Sequence, residues 1–596
     1  MTPPAQQPAG AGTLTGLFTA AVARFADRPA VRDDRRALTY AELDLRSDAF
    51  AHTLRAHGVT ADDHVGLWLE RSVDVFVAIL GILKAGAAYV AVDPRYPDAR
   101  RDLMLTRGGV RLVVARPEWR ERLAGLGPAV LPFRSEPVTG ARPEPVDHAR
   151  QGGAASVLFT SGSSGTPKAI VLEHRNIVSF ATNPDLPRVL PEDRTGQISS
   201  LSFDAFHFEM WTTLAHGAEV AVLPPVPDLL AADFQREMKR RRITALLVPT
   251  MVVNHVVRED RDAFAALRIL QAGGDVLLPS ACRDLLAGKF EGELYNLYGP
   301  AEITTACTAQ RVTDAEAGLD AVPIGRPLHG VRVHVLDADR RPVAPGETGE
   351  LYVGGPGVAR GYLDAPGLTD ESFVPDPFAQ EPAKLYRTGD LGRERPDGTL
   401  EFRGRADAQV KIRGYRVEPG EVERGLRRHR QVHEAVVLPS GEGSDRHLVA
   451  FVVLDGPLPL KELRAHAEAE LPDFMVPGHF VTLPEIPASD HGKRDLGQLR
   501  ELLDKHRERQ RGHTAPATET ERHLAGVWES LLGAENIGGN DDFFQLGGHS
   551  LLALRMQSRV KRDLGVALEY RTVLANPVLS ALAAEIDAAN GEVDFQ

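Results

Sequence analysis

Short apolar runs alternate with amphipathic stretches over residues 13–404. The runs Val65–Leu69 and Ala245–Val248 are typical of buried strands, and the stretch from Val73 to Ala85 has the length and apolar content of a helix. Strands that alternate with helices favour α/β layers with a substantial parallel sheet. The pattern therefore predicts a large α/β region that occupies about two thirds of the chain.

The pattern changes over residues 405–505, which predict a smaller α+β unit. Glu418–His429 and Leu460–Leu471 are helical in pattern, whereas Glu434–Leu438 and His447–Leu454 are typical of strands. The chain is rich in glycine and charge where this unit begins, as expected at a boundary between folding units. The prediction is a multidomain α/β protein in which a small C-terminal subdomain follows the large region.

Residues 506–516 are polar and end in proline, which predicts a linker. Residues 517–590 then show helical patterns only. They open on a capping box, Thr518-x-x-Glu521, which is followed by leucine, valine and tryptophan on one helix face. A second helix is expected to begin near Ser550. This segment predicts a small four-helix bundle at the end of the chain.

Composition and charge narrow the class of protein. The 596 residues carry a formal net charge of −13, which argues against a nucleic-acid binder. Two cysteines, Cys282 and Cys307, fit a reducing compartment and exclude a disulfide framework. The N-terminus lacks the features of a signal peptide, and no apolar run is long enough to span a bilayer. We therefore expect a cytoplasmic protein without a nucleic-acid or membrane partner.

The segment from Asp542 to Leu551, Asp-Phe-Phe-Gln-Leu-Gly-Gly-His-Ser-Leu, places Ser550 at the predicted helix start. A serine without an oriented base is poorly set up as a nucleophile, but a helix start favours a phosphodiester. A plain helix N-cap is the alternative. The motif resembles the phosphopantetheine attachment site of peptidyl carrier domains in nonribosomal peptide synthetases. That resemblance implies covalent 4′-phosphopantetheine on Ser550, placed there by a phosphopantetheinyl transferase.

A second motif, Phe159-Thr-Ser-Gly-Ser-Ser-Gly-Thr-Pro-Lys168, follows an apolar run. Backbone N–H groups and hydroxyls of such a loop can surround phosphate oxygens, and the lysine adds positive charge. The loop differs from a Walker loop, in which Gly-Lys-Ser/Thr opens a helix. It resembles the phosphate-binding signature of adenylate-forming enzymes. The resemblance assigns ATP or AMP binding to Thr160, Ser161, Gly162, Ser163, Ser164, Gly165, Thr166 and Lys168.

The resemblance continues at Asn296-Leu-Tyr-Gly-Pro-Ala-Glu302. It implies that Tyr298 stacks on adenine, that Asn296 binds the adenine amino group, and that Glu302 helps to hold Mg²⁺. An aromatic face, an amide and a hard carboxylate suit those tasks. The sequence departs from the family at Ala301, where threonine is usual. A hydroxyl that could touch phosphate is therefore missing from this part of the nucleotide site.

Two later segments resemble the ribose-binding and hinge signatures of the same family. Within Tyr386–Leu391, the resemblance places Asp390 on the ribose hydroxyls, since one carboxylate can accept hydrogen bonds from both. Within Gly404–Gly414, it places Arg405 near ribose or phosphate and makes Asp407 the pivot of the small subdomain.

The segment Asp490-His-Gly-Lys-Arg-Asp495 resembles the last family signature, with histidine where asparagine is usual. It makes Lys493 the catalytic lysine, which meets the substrate carboxylate and the α-phosphate as charge builds in the transition state. The family resemblance also implies a hinge motion about Asp407. Lys493 would face the site for adenylation, and the loop around Gly414 would face it for thioester formation.

The segment Phe203-Asp-Ala-Phe-His-Phe-Glu209 resembles a family signature that contributes to the substrate pocket. In members that activate amino acids, an aspartate at the position of Asp204 pairs with the substrate α-ammonium group. The resemblance implies a mostly apolar lining formed by Ala205, Phe208, Leu247, Leu270, Ala272, Leu297, Thr305 and Ala306. Burying an unpaired charge there would be costly, so a neutral, apolar α-amino acid is expected. Valine, isoleucine and leucine fit best, while an aromatic residue or proline stays open.

Together the resemblances imply a ligase that activates an α-amino acid with ATP as aminoacyl-AMP and loads it as a thioester on its own carrier domain. Such a loading didomain would serve nonribosomal peptide or antibiotic biosynthesis and pass its product to a condensation domain or a tailoring enzyme. Two alternatives stay open: an acyl-CoA synthetase-like carboxylate ligase, and a carrier scaffold with an inactive adenylation half. The sequence also leaves open the identity of the amino acid and the need for an MbtH-like protein.

Overall fold

Two compact units make up the chain. The first comprises residues 1–223 and 238–417, and the second comprises residues 224–237 and 418–596. The computed structural model describes residues 12–136, 138, 143–162, 166–231, 233–407, 409–412, 414–441, 446–487, 495–509, 514–532, 536–544, 546, 548, 550–566, 568, 572–573 and 576–593.

Helices of the described residues are numbered in chain order. They are α1 Leu14–Phe25, α2 Tyr40–Ala56, α3 Val73–Lys84, α4 Asp98–Arg107, α5 His174–Ala181, α6 Thr213–Ala215, α7 Val226–Ala231, α8 Phe234–Arg241, α9 Thr250–Glu259, α10 Pro279–Leu286, α11 Asp314–Ala317, α12 Pro366–Ser372, α13 Pro419–Arg427, α14 Leu460–Glu470, α15 Leu496–Arg509, α16 Glu519–Leu532, α17 Ser550–Leu564 and α18 Leu579–Val593. The structure also contains two 3₁₀ segments, Pro117–Leu123 and Ala301–Ile303, and a π-helical turn, Phe208–Thr212.

Strands are numbered in the same way. They are β1 Pro29–Arg32, β2 Ala37–Thr39, β3 His64–Trp68, β4 Ala88–Ala91, β5 Val110–Ala115, β6 Ala129–Pro132, β7 Ala154–Thr160, β8 Lys168–Glu173, β9 Arg194–Gln197, β10 Glu219–Val222, β11 Ala245–Pro249, β12 Ile269–Gly273, β13 Glu293–Tyr298, β14 Thr308–Val312, β15 Arg326–Pro327, β16 Arg332–Leu336, β17 Thr348–Gly354, β18 Gly361–Tyr362, β19 Phe373–Pro375, β20 Lys384–Glu394, β21 Leu400–Arg405, β22 Val410–Ile412, β23 Tyr415–Val417, β24 Val432–Ser440, β25 His447–Leu454 and β26 His479–Thr482.

The first unit is built on two large mixed sheets. One has the strand order β15-β14-β13-β12-β11-β9-β10-β1-β2, and the other has the order β18-β8-β7-β4-β3-β5-β6. In the first sheet every pair from β13 to β1 is parallel, with antiparallel pairs at the edges. A smaller antiparallel sheet joins β16, β17, β20, β19 and β21. The predicted α/β architecture is confirmed.

Helix α3 shows how strongly apolar patterning shapes this unit. The sequence predicts a helix from Val73 to Ala85, and the observed helix ends one residue earlier, at Lys84. All of its residues are buried, including the lysine. The Lys84 ammonium lies 2.7 Å from carboxylate oxygens of both Asp44 and Asp48 on α2. A buried charge needs such partners, so the two aspartates make it possible for the whole helix to lie inside.

The second unit begins with the small α+β subdomain. Its sheet, β24-β25-β26, contains both strands predicted from the sequence, and β24 is longer than the predicted strand at each end. Helices α13 and α14 belong to the same unit. Helix α15 continues to Arg509, so residues 506–509 are helical although their polar composition predicts a linker. Residues 510–513 lie outside the described part of the chain.

The last helices form a bundle around Trp528. Its indole ring is fully buried, lies 5.1 Å from the ring of Phe543, and donates through Nε1 to the sulfur of Met556. Helices α16, α17 and α18 supply most of this core. The described residues include three long helices of the expected four-helix bundle, and residues 567, 569–571 and 574–575 lie outside the description. Helix α17 begins at Ser550, where the sequence predicts a helix start.

Helix α7 is placed unusually for its position in the sequence. It belongs to the segment 224–237, which groups with the second unit, and it packs against α17.

Among the described helices, none combines the length and the apolar sequence required to cross a lipid bilayer.

Candidate active site

The predicted phosphate loop connects two antiparallel strands. Strand β7 ends at Thr160 and β8 begins at Lys168, and these two residues are paired in the sheet. A Cβ atom on Gly162 would lie 1.9 Å from the carbonyl oxygen of Thr166, so only glycine fits at this position. The Thr160 hydroxyl is buried and has no hydrogen-bond partner among the described residues. A buried hydroxyl available beside a backbone that passes close to Gly162 fits a phosphate group.

Three residues predicted to bind ATP lie together: Tyr298, expected on adenine, Asp390, expected on ribose, and Arg405, expected on ribose or phosphate. The Tyr298 hydroxyl donates to Asp390 Oδ2 at 2.7 Å, and Arg405 forms an ion pair with the other carboxylate oxygen. Arg405 also donates to both oxygens of Asp407, each at 2.7 Å. The side-chain amide of Asn296 donates to the carbonyl of Pro323 at 2.8 Å. The structure thus connects the predicted ribose, adenine and hinge residues through Arg405 and Asp390.

Strands β22 and β23 form a short hairpin, residues 410–417, that lies against these nucleotide-site residues. The Ser161 hydroxyl donates to the Arg416 carbonyl at 2.8 Å. The ring of Tyr415 meets Phe203 edge-on, with 4.7 Å between the ring centroids. The Lys411 ammonium lies 5.9 Å from the centroid of the Tyr298 ring. The hairpin is therefore seated on the predicted ATP site and belongs to the same compact unit.

Glu302, the predicted Mg²⁺ ligand, is fully buried beneath this hairpin. It accepts a hydrogen bond from the Tyr362 hydroxyl at 2.9 Å, and Arg416 Nη1 lies 3.3 and 3.2 Å from its two oxygens. Burial alone would raise the pKa of Glu302, but the Arg416 charge and hydrogen bonds, including that from Tyr362, hold it below its ordinary value. An ionised carboxylate is the kind of ligand that Mg²⁺ prefers, so the residue fits the expected metal.

Arg416 is a site residue that the sequence analysis missed. Its Nε donates to Gln409 Oε1 at 2.6 Å, and Gln409 also accepts from Arg405, so the same amide orients both arginines. Burial alone would lower the pKa of Arg416, but the negative charge of Glu302 raises it. The resulting pKa of Arg416 lies well above the ordinary value of an arginine. One feature of the sequence could have identified Arg416. It lies two residues after Gly414, in the loop that is expected to face the site.

Asp204, predicted to bind the α-ammonium group, lies in the turn that precedes the π-helical segment 208–212. Burial raises the pKa of this carboxyl to about 7, and the negative charge of Glu302 acts in the same direction. The Thr305 hydroxyl donates to the Asp204 carbonyl at 2.8 Å. Thr305 has a φ of 70°, which is rare for a β-branched residue, and this strained backbone is typical of functional sites.

Most of the predicted apolar lining lies in one place. Phe208, Leu247, Leu297 and Ala306 belong to a single buried cluster, and Ala205 packs against it. Leu270 and Ala272 are also buried, but the register of β12 with β11 and β13 places them on the opposite face of the sheet from Leu247 and Leu297.

Two buried polar side chains near this cluster were missed by the sequence analysis. Gln271 alternates with Leu270 and Ala272, so it lies on the sheet face of Leu247 and Leu297, and neither end of its amide has a hydrogen-bond partner among the described residues. His207 Nδ1 lies 3.4 Å from the Thr305 hydroxyl, and its Nε2 is unpartnered in the described structure. Burial lowers the pKa of His207 to about 3, so its ring is neutral.

Several predicted site residues, or their side chains, lie outside the described structure. Ser163, Ser164, Gly165 and Lys493 lie outside the described residues. Ser550 is the first residue of α17, but its side chain is likewise outside the description. Ala301 begins the 3₁₀ turn that carries Glu302.

Three known protein families match segments of this chain. The family described as AMP-binding enzyme matches residues 18–363, and its C-terminal domain matches residues 421–493. The family described as phosphopantetheine attachment site matches residues 522–586. These three matches follow the order of the predicted large region, small subdomain and carrier domain.

Curated relatives are long synthetases. The chain is 38% identical over 585 residues to gramicidin S synthase 2 of Brevibacillus brevis, which covers 97% of this chain and 13% of that protein. It is 39% identical over 581 residues to malpibaldin synthetase of Mortierella alpina, covering 96% of this chain and 10% of the relative. The chain therefore spans only about a tenth of the length of these relatives.

Solved structures with a similar fold include holo-PA1221, described as an NRPS protein containing adenylation and PCP domains bound to a vinylsulfonamide inhibitor. It has a TM-score of 0.81 and 28% sequence identity, and the match covers 97% of each chain. A four-domain nonribosomal peptide synthetase, AB3403, bound to AMP and glycine, has a TM-score of 0.59 and 30% identity, and the match covers 97% of this chain and 43% of that one.

The fold and the site define an adenylate-forming enzyme joined to a carrier domain. The chain belongs to the AMP-binding enzymes, and its adenylation and peptidyl carrier domains are homologous to those of nonribosomal peptide synthetases. The cofactors expected from the sequence, ATP, Mg²⁺ and 4′-phosphopantetheine, are those of these two families.

Proposed function

We propose that the chain activates a neutral α-amino acid with ATP and transfers the aminoacyl group to its own carrier domain as a thioester. The observation that carries this proposal is the partly buried carboxylate of Asp204, which precedes Ala205 at the apolar cluster. A carboxylate in such a place is stabilised by a cation, and a substrate α-ammonium group supplies one. An acid without this group would leave Asp204 with the charge of Lys411 and backbone hydrogen bonds as its stabilising contacts.

The nucleotide is held by chemistry suited to each of its parts. Thr160 and Gly162 fit the phosphates, while Tyr298 and Asp390 suit the adenine ring and the ribose hydroxyls. When bound, Mg²⁺ supplies positive charge that neutralises the phosphate oxygens and orients them for displacement, with Glu302 as its protein ligand. These residues would align the substrate carboxylate with the α-phosphate, which lowers the barrier by fixing the geometry of attack.

Two further residues complete the proposal: Lys493, which lies outside the described residues, and Ser550, the first residue of α17. Lys493 stabilises the negative charge that develops between the substrate carboxylate and the α-phosphate. Ser550 carries the phosphopantetheine whose thiol accepts the aminoacyl group. The 410–417 hairpin contacts Ser161 and Phe203 in the site. The loop around Gly414 is expected to face the site during thioester formation, so these contacts support the arrangement in which the thioester forms.

The side chain of the preferred amino acid is proposed to be apolar, with valine, isoleucine or leucine favoured. Phe208, Leu247, Leu297 and Ala306 offer dispersion contacts and no charge to a substrate side chain. Gln271 lies on the same face of the sheet as Leu247 and Leu297. A substrate with one hydroxyl or amide would find a partner there, so the substrate panel should include threonine and asparagine.

The wider pathway is also a proposal, since the chain spans a small part of each curated relative. A phosphopantetheinyl transferase would modify the carrier domain. A condensation domain or a tailoring enzyme would then take the aminoacyl group towards a nonribosomal peptide or a related antibiotic. An MbtH-like protein is a further candidate partner of the adenylation domain.

Amino-acid-dependent exchange of pyrophosphate into ATP tests the adenylation step, and intact-protein mass spectrometry of the pantetheinylated chain tests loading. We expect one neutral amino acid to give both signals, and its des-amino analogue to give neither. Equal exchange with the des-amino acid, followed by transfer to free CoA, would favour the acyl-CoA synthetase alternative. A complete absence of exchange across the panel would favour the inactive carrier scaffold.

A further inference from the structure

The ion pair between Arg416 and Glu302 is buried and multiply supported. The Glu302 side chain is 0% exposed and that of Arg416 is 18% exposed. Arg416 is held at one end by Gln409 Oε1, 2.6 Å from its Nε, and approaches the Tyr386 hydroxyl at 3.5 Å with Nη1. A pair fixed by this many contacts has one geometry, unlike an exposed ion pair whose side chains move freely.

The guanidinium group occupies space that a metal ion on Glu302 would need. Mg²⁺ binds carboxylate oxygens at about 2.1 Å and demands near-octahedral ligands. In the structure, Arg416 Nη1 lies within 3.3 Å of both Glu302 oxygens, and the Tyr362 hydroxyl already donates to one of them. Two cations that close together on one carboxylate would repel each other strongly away from bulk water. Guanidinium and metal therefore compete for Glu302.

The position of Arg416 is coupled to the whole 410–417 hairpin. Its own carbonyl accepts from Ser161, and the preceding Tyr415 packs on Phe203. The carbonyl of Gly414 lies close to Gly274, where an added Cβ would approach it at 3.3 Å. Arg416 reaches Glu302 because these contacts hold the hairpin in the site, so removing the hairpin removes the guanidinium group as well.

We propose that Arg416 replaces the magnesium ion on Glu302 when the 410–417 hairpin is seated, so that metal binding and hairpin seating exclude each other. The inference rests on the proposed function, in which Glu302 holds the metal during adenylation. It makes Arg416 a positioning residue that keeps Glu302 neutralised after the metal has left. Thioester formation then proceeds without bound metal at Glu302.

Titration of the nucleotide-free chain with Mn²⁺, with free Mn²⁺ followed by electron paramagnetic resonance, tests the competition directly. Arg416→Gln should bind Mn²⁺ at Glu302 at least roughly tenfold more tightly than the wild type, because the competing cation is gone. Arg416→Lys should stay close to the wild type. Arg341→Ala, which removes an exposed arginine of the same unit, is the matched control. Adding Glu302→Gln to Arg416→Gln should abolish the gain.

Equal Mn²⁺ affinity in wild type and Arg416→Gln would overturn the proposal, as would a gain that survives Glu302→Gln. Hydrogen exchange on the wild-type chain provides a measurement that needs no variant. Saturating Mn²⁺ should increase deuterium uptake by residues 410–417, and unchanged uptake would contradict the exclusion. Both tests use metal alone without amino acid or ATP, so their failure is distinguishable from a failure of amino-acid activation.

Discussion

Asp390 on β20 lies directly opposite Arg405 on β21 in the antiparallel register, and their side chains form an ion pair. The Tyr298 hydroxyl donates to the other oxygen of Asp390. A ribose that bonds to Asp390 must therefore share or displace these contacts. Because Arg405 also binds Asp407, a change at the nucleotide can reach the hinge residue through one guanidinium group.

The glycine of the phosphate loop gives a sharp prediction. Gly162→Ala should lower the affinity for ATP at least roughly tenfold, because its Cβ would lie 1.9 Å from the Thr166 carbonyl and force the loop to shift. Gly152→Ala is the matched control, since nothing lies within 4 Å of its added Cβ. Calorimetric titration with ATP measures both variants. If Gly162→Ala bound ATP as tightly as the wild type does, the phosphates of ATP would have to bind at another part of the protein.

Ser550 is predicted to be the pantetheine site of the chain. Ser550→Ala should keep full pyrophosphate exchange and lose thioester loading, because adenylation does not require the carrier thiol. Intact mass after treatment with a phosphopantetheinyl transferase is the measurement, with the wild type as the positive control. A mass gain on the variant would show that another residue is modified.

Lys493 is predicted to act in adenylation and to contribute little to folding. Loss of one preorganised charge contact in the transition state costs about 3 kcal/mol, so Lys493→Ala should slow pyrophosphate exchange by roughly a hundredfold or more. The thermal midpoint should stay close to that of the wild type. The neighbouring Arg494→Ala is a suitable control for a change of charge in the same segment. Near-normal exchange in Lys493→Ala would mean that the catalytic lysine lies elsewhere.

The local sequence was sufficient to predict the helices whose bounds depend on residues close together in the chain. The apolar content of residues 73–85 predicted α3 to within one residue, and the serine of the Gly-Gly-His-Ser motif was placed at the start of α17. The pairing of Lys84 with Asp44 and Asp48 was not predictable, because the partners come from another helix. Apolar patterning identifies a buried helix but does not reveal how its buried charges are compensated.

Long-range register explains what the sequence analysis missed in the site. Arg416 and Glu302 are separated by 114 positions and meet only because the hairpin folds back onto the 3₁₀ turn at Ala301–Ile303. Gln271 faces the apolar cluster because the register of β12 fixes which of its alternating side chains share a face with Leu247. Neither relationship leaves a local motif in the sequence.

The raised pKa of Asp204 has a consequence for stability. Its ordinary value is 3.8, and burial, assisted by the charge of Glu302, raises the pKa to about 7. The folded state therefore holds a proton more tightly than the unfolded state does. The contribution of this group to stability is present below the unfolded value of 3.8 and is lost as the pH rises through about 7. Asp204→Asn should flatten the pH dependence of unfolding in that window, as denaturant titrations would reveal.

The same shift predicts how amino-acid binding depends on pH. Only the ionised Asp204 pairs with an α-ammonium group, and burial raises its pKa to about 7. The KM for the amino acid should therefore fall roughly tenfold between about pH 6 and about pH 8, while the substrate ammonium stays charged. Pyrophosphate exchange at a series of pH values measures this, with the KM for ATP as the internal control. Asp204→Asn should bind the amino acid weakly at every pH. A wild-type KM that does not change with pH, or a variant that keeps the wild-type profile, would assign the ammonium group to another partner.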